Sequence, residues 1–369
     1  MCNEVVVNGR FLTQPLTGVQ RYAFEVVRRF PGLIKVIVPG SIAPVYKSIF
    51  NTVIIDPLGR FVQGGSLGHV WEQVALPRWV GKNALLWSPC GSGPLKVKNQ
   101  IVTIHDIAHL EHPEWFNWRF VRWYRFLVPR LVQRVQRIVT VSNFTKDRLV
   151  VMLNVPPEKI SVIPNGVDVR FQRRALEEVA KTRNILGIPS QNYILSLCSL
   201  EPRKNLRQLL KAWNNVCQQL PDDVWLVLAG SKGKRGVFQE VLFDKLPPRV
   251  YFTGYVPDEY LPALYSGALA FVYVSLYEGF GLPPLEAMAC GTPVITSNVT
   301  SLPEVVGNAA LLVNPYNTED ISSGIYEIVR NSALREELKL KGLEWVRQFT
   351  WDRTAALTWQ VLQTVTEEC

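Results

Sequence analysis

Apolar residues come in short unbroken runs through the first half of the chain, at residues 5–7, 35–38, 53–55, 84–87, 101–104 and 138–141. Runs of this length without polar alternation predict strands buried on both faces, as in a parallel sheet sandwiched between helices. Helically spaced stretches such as residues 19–30 fall between them. Residues 163–168 read Ile-Pro-Asn-Gly-Val-Asp, a turn signal, and the charged segment 170–183 reads as a linker leading to a helix. A second series follows. Strands are expected at 193–197, 224–229, 250–253, 270–274, 293–296 and 310–313, and helices at 206–218, 260–266, 284–289, 319–330 and 332–348. Residues 351–364 close the chain as one more amphipathic helix. Two serial strand–helix series of similar size predict an α/β protein of two doubly wound, Rossmann-like domains facing each other across a cleft. The expected divisions are 1–168, 169–348 and 349–369.

Composition narrows the classes. With 369 residues, 47% hydrophobic and 19% charged, the chain is neither disordered, collagenous nor a coiled coil. A spanning helix needs about 20 consecutive apolar residues. The rich stretch at 261–274 is shorter and holds Pro262 and Ser266. The first residues lack a basic segment followed by an apolar one, so no secretory signal is expected. The six cysteines, at 2, 90, 198, 217, 290 and 369, form no C-x-x-C pair and are expected to be reduced. The net charge of +9 is uneven: residues 1–165 carry 20 Lys and Arg against 9 Asp and Glu. That basic half, which also holds all four histidines, points to an anionic partner: a membrane surface, nucleic acid or a phosphorylated substrate.

The most specific string is Glu278-Gly-Phe-Gly-Leu-Pro-Pro-Leu-Glu286, after the apolar run 270–274 and before Cys290-Gly-Thr-Pro-Val. Parallel sheets bind ligands at the carboxyl ends of their strands. Gly279 and Gly281 would let backbone amides approach a ligand closely. Glu286 can accept hydrogen bonds from a ribose diol, and Glu278 can hold a sugar hydroxyl; the other reading of each acid is a helix cap. Ser199-Leu-Glu-Pro-Arg-Lys-Asn205 follows the run 193–197. Arg203 and Lys204 there suit a diphosphate at a helix start, where free amides already favour anions. The alternative is a solvated basic pair. Gly18, between the first strand and first helix, leaves room for a phosphate or a sugar, or only makes a turn. His105 and Asp106 follow the run 101–104, where the histidine could bond a substrate hydroxyl or an acceptor and Asp106 could orient it or act on its own. His105, His109 and His112 lack zinc-site spacing, so no metal is expected.

Between Trp118 and Arg137 lie six arginines, Arg119, Arg122, Arg125, Arg130, Arg134 and Arg137, interleaved with aromatics at the spacing of one helix side. A membrane-interface helix has this composition. So does a surface helix whose arginines cover apolar stems. No nucleic-acid-binding signature accompanies it.

Taken together, the Glu278–Glu286 string, Gly291-Thr-Pro-Val, Ser301-Leu-Pro-Glu304, Pro164-Asn-Gly-Val-Asp168 and Glu201-Pro-Arg-Lys-Asn205 resemble retaining family-4 glycosyltransferases of the GT-B fold. Thr103-Ile-His-Asp-Ile-Ala108 and the arginine-rich stretch resemble the mannosyltransferase-like branch that builds bacterial surface polysaccharides, including lipopolysaccharide. The resemblance implies that Arg203 and Lys204 stabilise the departing nucleotide diphosphate. Glu286 would bind the ribose. Glu278, with the amides around Phe280, Gly281 and Leu282, would hold the donor sugar, and Ser199 and Gly279 would line the donor. His105 would contact a donor-sugar hydroxyl, and Gly18 would line the phosphate from the opposite domain. The final helix would cross back to the N-terminal, acceptor-binding domain. Many relatives carry two adjacent glycines where this chain has Thr17-Gly18. The donor implied is GDP-mannose, with UDP- and dTDP-sugars on the same scaffold, and no cofactor or metal. The acceptor would be a saccharide or lipid-linked saccharide. The expected location is cytoplasmic, peripheral on the inner membrane face through Arg119, Arg122, Arg125 and Arg130. A nucleotide-sugar epimerase and a non-catalytic partner protein are the competing readings. A phosphorylase of this fold would need a pyridoxal-binding lysine motif, which is not found.

Overall fold

A computed structural model describes residues 4–14, 16–30, 34–40, 42–43, 46, 49–50, 53–56, 66–197, 199, 201–230 and 246–368. The chain divides into two units: residues 1–110, 122–166 and 349–369 in the first, residues 111–121 and 167–348 in the second. The expected division at 168 misses the short segment 111–121, which clusters with the second unit although both its neighbours belong to the first.

The first unit is built on a parallel sheet of seven strands: β1 (Glu4–Asn8), β2 (Ile34–Pro39), β3 (Val53–Asp56), β4 (Ala84–Ser88), β5 (Gln100–Ile104), β6 (Arg137–Thr140) and β7 (Ile160–Val162), in the order β3-β2-β1-β4-β5-β6-β7. β4 and β5 are buried along their whole length, which is why their sequences read as continuous apolar runs. The strand β7 escapes the pattern: three residues with Ser161 in the middle are too short a run. A polar group that enters this core, Trp87 Nε1, donates to Thr103 Oγ1 at 3.1 Å. The Asn143–Leu153 helix is capped by Ser142, whose Oγ accepts from Thr145 N, and stops at Asn154 in the left-handed region (φ 50°).

The closing helix, Trp351–Glu368, packs within this first unit against the Gly18–Val27 helix. Arg29 Nε meets Asp352 Oδ1 at 2.7 Å, and the Trp351 ring stands edge-on to Tyr22. Its start is seated on the Pro-Asn-Gly turn: Thr354 Oγ1 donates to Pro164 O at 2.8 Å. A Cβ on Gly166 would come within 2.2 Å of Trp351 N, a backbone atom that cannot swing aside. Gly166→Ala should therefore destabilise the first unit by about 1–3 kcal/mol, the usual cost of overpacking. A thermal melt superimposable on the parent's would refute this close approach.

The second unit holds a parallel sheet of six: β8 (Asn192–Leu197), β9 (Val224–Ala229), β10 (Val250–Gly254), β11 (Ala270–Tyr273), β12 (Val294–Ser297) and β13 (Leu311–Val313), ordered β10-β9-β8-β11-β12-β13. The Leu206–Val216 and Thr318–Arg330 helices cover one side, burying Leu209, Leu210, Trp213, Ile321, Ile325 and Ile328 in one core. The segment expected to be a linker, 170–183, is helical in its second half, where the Leu176–Ile185 helix lies. Cys90, Cys217 and Cys290 are unbridged, and Cys2, Cys198 and Cys369 lie outside the described residues.

Candidate functional site

In the second unit the sheet order reverses between β8 and β11, which pair directly through Ala270 with Ile194 and Phe271 with Leu195. Such a switch point opens a crevice beyond the carboxyl ends of the two strands, because their connecting chains leave in opposite directions. The loops leaving β8 and β11 carry Arg203, Lys204 and Glu278, and they are tied together. Leu276 N donates to Arg203 O at 2.8 Å, and Asn205 Nδ2 donates to Val274 O at 3.1 Å and to Pro315 O at 2.8 Å. Asn205 itself turns the chain at φ 58° into the Leu206–Val216 helix.

Arg203 and Lys204 do not stand in the first turn of that helix, as their spacing suggested. They end a tight Pro202–Lys204 turn before it, and their charge is met by carboxylate side chains. Lys204 Nζ lies 2.7 Å from Glu278 Oε1, Arg203 Nη1 3.1 Å from Glu278 Oε2, and Arg203 Nε 2.8 Å from Glu201 Oε2. Two more donors converge on Glu278 Oε1: Ser275 Oγ at 2.6 Å and Tyr273 Oη at 2.8 Å. Lys204 also donates to Tyr273 Oη and sits over its ring. Burial would push the Glu278 carboxyl up, but Lys204 and Arg203 outweigh it and hold it down at about 2. Burial, with Arg203 beside it, lowers the Lys204 ammonium against the pull of Glu278. Burial and the neighbouring carboxylate push Tyr273 well up, so its phenol stays a donor.

Glu278 is thus a buried counter-ion here: Oε1 accepts from Lys204, Ser275 and Tyr273, and Oε2 from Arg203. Two cations face two carboxylates, so an anion entering here would have to reorganise these pairs. Lys204 has the capacity: it spends two of its three N–H donors on Glu278 and Tyr273.

The loop after Glu278 is braced from behind. Ser301 Oγ lies 2.9 Å from the carbonyls of both Glu278 and Phe280. Gly281 sits at φ 100°, and a Cβ there would strike Leu302 Cδ2 at 2.6 Å. Packing and turn geometry both exclude a side chain there. Gly279 and Phe280 are buried and Leu282 is half-buried, opening the Leu282–Ala289 helix. Glu286, within that helix and half-buried, accepts from Tyr265 Oη at 3.2 Å. Burial first, and Glu286 next, push that phenol well up. Ser199 is half-buried in the loop leaving β8.

In the first unit Gly18 is exposed, with open space where a Cβ would stand. It starts a helix whose preceding residue, Thr17, bonds Gln20 instead of capping the backbone. His105 lies beyond β5 and stands edge-on to Tyr22 of that same helix, centroids 4.7 Å apart. Its Nε2 donates to Pro89 O at 2.8 Å, which leaves Nδ1 as the acceptor. Burial lowers its pKa, so the ring is neutral near pH 7. Asp106 does not orient it: Asp106 Oδ1 accepts from Ala108 N at 3.1 Å and closes the next turn.

Behind β1 and β4 lies a buried polar cluster that no motif announced. Glu72 accepts from Asn8 Nδ2 at 2.6 Å and from Ser92 Oγ at 3.0 Å, and Arg10 Nη2 donates to Ser92 Oγ at 2.9 Å. Burial would push Glu72 up, but Arg10, His69 and Asn8 together outweigh it and hold the carboxyl at about 2. His109, buried against Tyr124, is lowered to about 4 by that burial. Its folded pKa lies below the ordinary 6.5, so the unfolded chain takes up the proton first. Stability conferred by neutral His109 is complete above about pH 6.5 and is lost toward pH 4, at up to about 1.4 kcal/mol per pH unit. Denaturant midpoints at pH 7 and pH 5 should differ for the parent and differ less in His109→Gln. An equal drop in both would exclude the residue as the cause.

Sequence reasoning missed Tyr273, Ser275, Tyr265 and the Arg10–Glu72 pair as partners. A tyrosine near the end of an apolar run, five residues before a glutamate, with a serine three residues before it, was the one available signal for the first two. The arginine-rich helix runs Trp118–Arg134, with Arg119, Arg122, Arg125, Arg130 and Arg134 exposed. Arg137 is not part of it: it opens β6 and donates to Glu158 O at 2.7 Å.

A family model described as "Glycosyl transferases group 1" matches residues 178–345, and one described as "Glycosyltransferase Family 4" matches residues 16–171. O-antigen chain mannosyltransferase B of Escherichia coli is 34% identical over 267 residues, 72% of this chain and 70% of that protein. Serotype-specific mannosyltransferase WbdA of Escherichia coli is 32% identical over 70% of this chain; the chain spans about a third of WbdA's length. Among solved structures, HepE of Anabaena, in complex with UDP-glucose, superimposes with a TM-score of 0.73 at 17% identity over 98% of this chain and 99% of HepE. At that identity the likeness is one of fold.

Proposed function

The chain belongs to the family-4, group 1 glycosyltransferases of the GT-B fold, and from that premise we propose that it is a retaining, metal-independent mannosyltransferase. It moves mannose from GDP-mannose to a saccharide or lipid-linked saccharide acceptor during surface polysaccharide synthesis in the cytoplasm. The observation that carries this reading is the Arg203–Lys204–Glu278 cluster at the β8/β11 switch point. The names of the relatives, O-antigen chain mannosyltransferase B and WbdA, support mannose and polysaccharide.

Breaking the glycosidic bond of a nucleotide sugar adds one negative charge to a diphosphate that already carries two. Fixed cations lower that barrier only if they are oriented before the bond breaks. Glu278, Tyr273 and Ser275 do this for Lys204: they fix the ammonium in a buried setting, and donor phosphate takes over part of Glu278's share of it. Glu286, on the following helix, accepts from Tyr265 Oη and would bind the ribose diol. Neutral His105 offers Nδ1 as an acceptor for a sugar hydroxyl. The acceptor hydroxyl then attacks from the face the diphosphate leaves, and the product keeps the donor's anomeric configuration.

Thermal shift against GDP, UDP and dTDP tests the donor, since a ligand bound at 100 times its Kd adds about 2.7 kcal/mol to stability. The largest shift should come with GDP, and nucleoside diphosphate release should be fastest with GDP-mannose. A larger shift with UDP would move the donor to a UDP-sugar. Free epimerised sugar without transfer would replace the reading by an epimerase.

A further inference from the structure

The loop that presents Glu278 is anchored along its length. Ser297 Oγ donates to Ser275 O at 2.7 Å and Leu276 N to Arg203 O at 2.8 Å, while Ser301 Oγ lies 2.9 Å from the carbonyls of Glu278 and Phe280. These partners all come from residues 167–348. Tyr277, the neighbour of Glu278, is held differently. It is 3% exposed, and its Oη donates to Glu111 Oε2 at 2.7 Å. Glu111 lies 166 positions earlier, in a stretch of sequence that otherwise builds the first unit.

Residues 111–121 form a short strap. It leaves the Ala108–Glu111 helix, turns through Pro113–Trp115 and ends where Asn117 Oδ1 accepts from Arg119 N at 3.0 Å at the start of the arginine-rich helix. His112 also meets Tyr277, the two rings edge-on with centroids 5.8 Å apart. His112 is itself stacked on Trp115, at 4.0 Å with the planes 12° apart, and its Nδ1 lies 3.2 Å from Glu114 Oε1. The strap therefore grips Tyr277 twice, by a carboxylate at the hydroxyl and by an aromatic stack beside the ring. A hydrogen bond to a carboxylate is roughly twice as strong as one between neutral groups, and breaking it in a buried setting is costly.

We propose that Glu111 is a positioning residue for the transfer reaction: through Tyr277 it clamps the Glu278 loop, and so keeps Lys204 and Arg203 aimed at the donor's phosphates. This rests on the reading of the Arg203–Lys204–Glu278 cluster as the phosphate site. Tyr277 and Glu278 are consecutive, so a displacement of Tyr277 is passed to Glu278 through one planar peptide unit. Charge on the diphosphate grows as the glycosidic bond breaks, so a misaimed cation costs more in the transition state than in the bound ground state. Loosening the strap therefore lowers kcat and leaves donor affinity nearly unchanged. A role in folding alone would lower the melting temperature and leave the kcat of the folded enzyme where it was.

Nucleoside diphosphate release by the full-length protein tests it, with methyl α-mannoside supplied as acceptor and the nucleotide sugar the parent uses fastest, GDP-mannose on the reading above. Glu111→Ala and Tyr277→Phe should each lower kcat about tenfold, the size expected for one hydrogen bond to a charged group, and change the donor KM less than about twofold. The double variant should fall no further than either single one, because both changes remove the same bond. Glu111→Gln keeps an oxygen that accepts from the phenol and should recover about half of the parent's kcat or more. All four variants should keep the parent's nucleotide thermal shift, which shows a folded protein with its phosphate site intact. If Glu111→Ala does not fold, Tyr277→Phe, which removes a single hydroxyl, decides in its place. The parent's kcat in the folded single variants, losses that multiply in the double variant, or a Glu111→Gln enzyme as slow as Glu111→Ala would each overturn the clamp alone. A parent that neither shifts with any of the three nucleotides nor turns over their sugars would overturn the donor reading, and the clamp with it.

Discussion

Lys204→Ala is expected to reduce turnover about 10²–10³-fold, the cost of losing one preorganised donor to a developing oxyanion. Two effects have to be separated, because Lys204 also neutralises buried Glu278. Taking one partner from a buried ion pair leaves the other charge poorly compensated and is itself destabilising. Arg203 remains on Glu278 Oε2, so the variant should stay folded with a lowered melting temperature. Glu278→Gln in the same background removes the stranded charge. The double variant Lys204→Met/Glu278→Gln should recover most of the stability and none of the turnover. Recovery of both would reduce Lys204 to a structural counter-ion, and a folded Lys204→Ala enzyme with the parent's kcat would end its catalytic assignment. Tyr273→Phe probes the same cluster more gently. It should lower kcat more than it raises KM, since it loosens the cation without removing it.

The largest stability effect should come from the other unit. Glu72→Ala leaves the Arg10 guanidinium buried without its carboxylate and should cost about 3–5 kcal/mol. For a unit of this size that is a fall of about 6 °C or more. Glu72→Gln, which keeps the bonds to Asn8 and Ser92, should cost less. The pH dependence has a definite sign. Glu72 is held at about 2, below its ordinary 4.5, so its contribution is complete above pH 4.5 and disappears as pH falls toward 2. Glu278 follows the same course in the second unit. Acid unfolding of Glu72→Gln should therefore be flatter than the parent's across that window. An identical acid transition would show that Arg10 finds another counter-charge.

The site was partly legible. Glu278, Arg203 and Lys204 stood out because glycine, proline and charge cluster after apolar runs, and the structure does bring the three together. Their mutual pairing was not legible: 74 positions separate Lys204 from Glu278, and only the β8–β11 crossover sets them 2.7 Å apart. The same distance hid Tyr265 behind Glu286. Gly281 stood out in the sequence as room for a ligand, and its positive φ and packing against Leu302 were not legible there, since they leave the same mark on a sequence. Arg10 and Glu72 carried no signal at all, since a single charge beside an apolar run looks like any solvated residue.

What the chain alone determined was everything carried by near neighbours. Continuous apolar runs specified strands buried on both faces, and the alternation with amphipathic stretches specified parallel α/β units. Tertiary structure decided which side chains face each other. It placed residues 111–121 with the second unit, made Glu278 a counter-ion and set the Ser66–Val74 helix beside the arginine-rich one. The reason is one of range. Periodicity reports the burial of a residue against its own element, whereas hydrogen bonds and ion pairs depend on strand order, and strand order leaves no mark on local spacing.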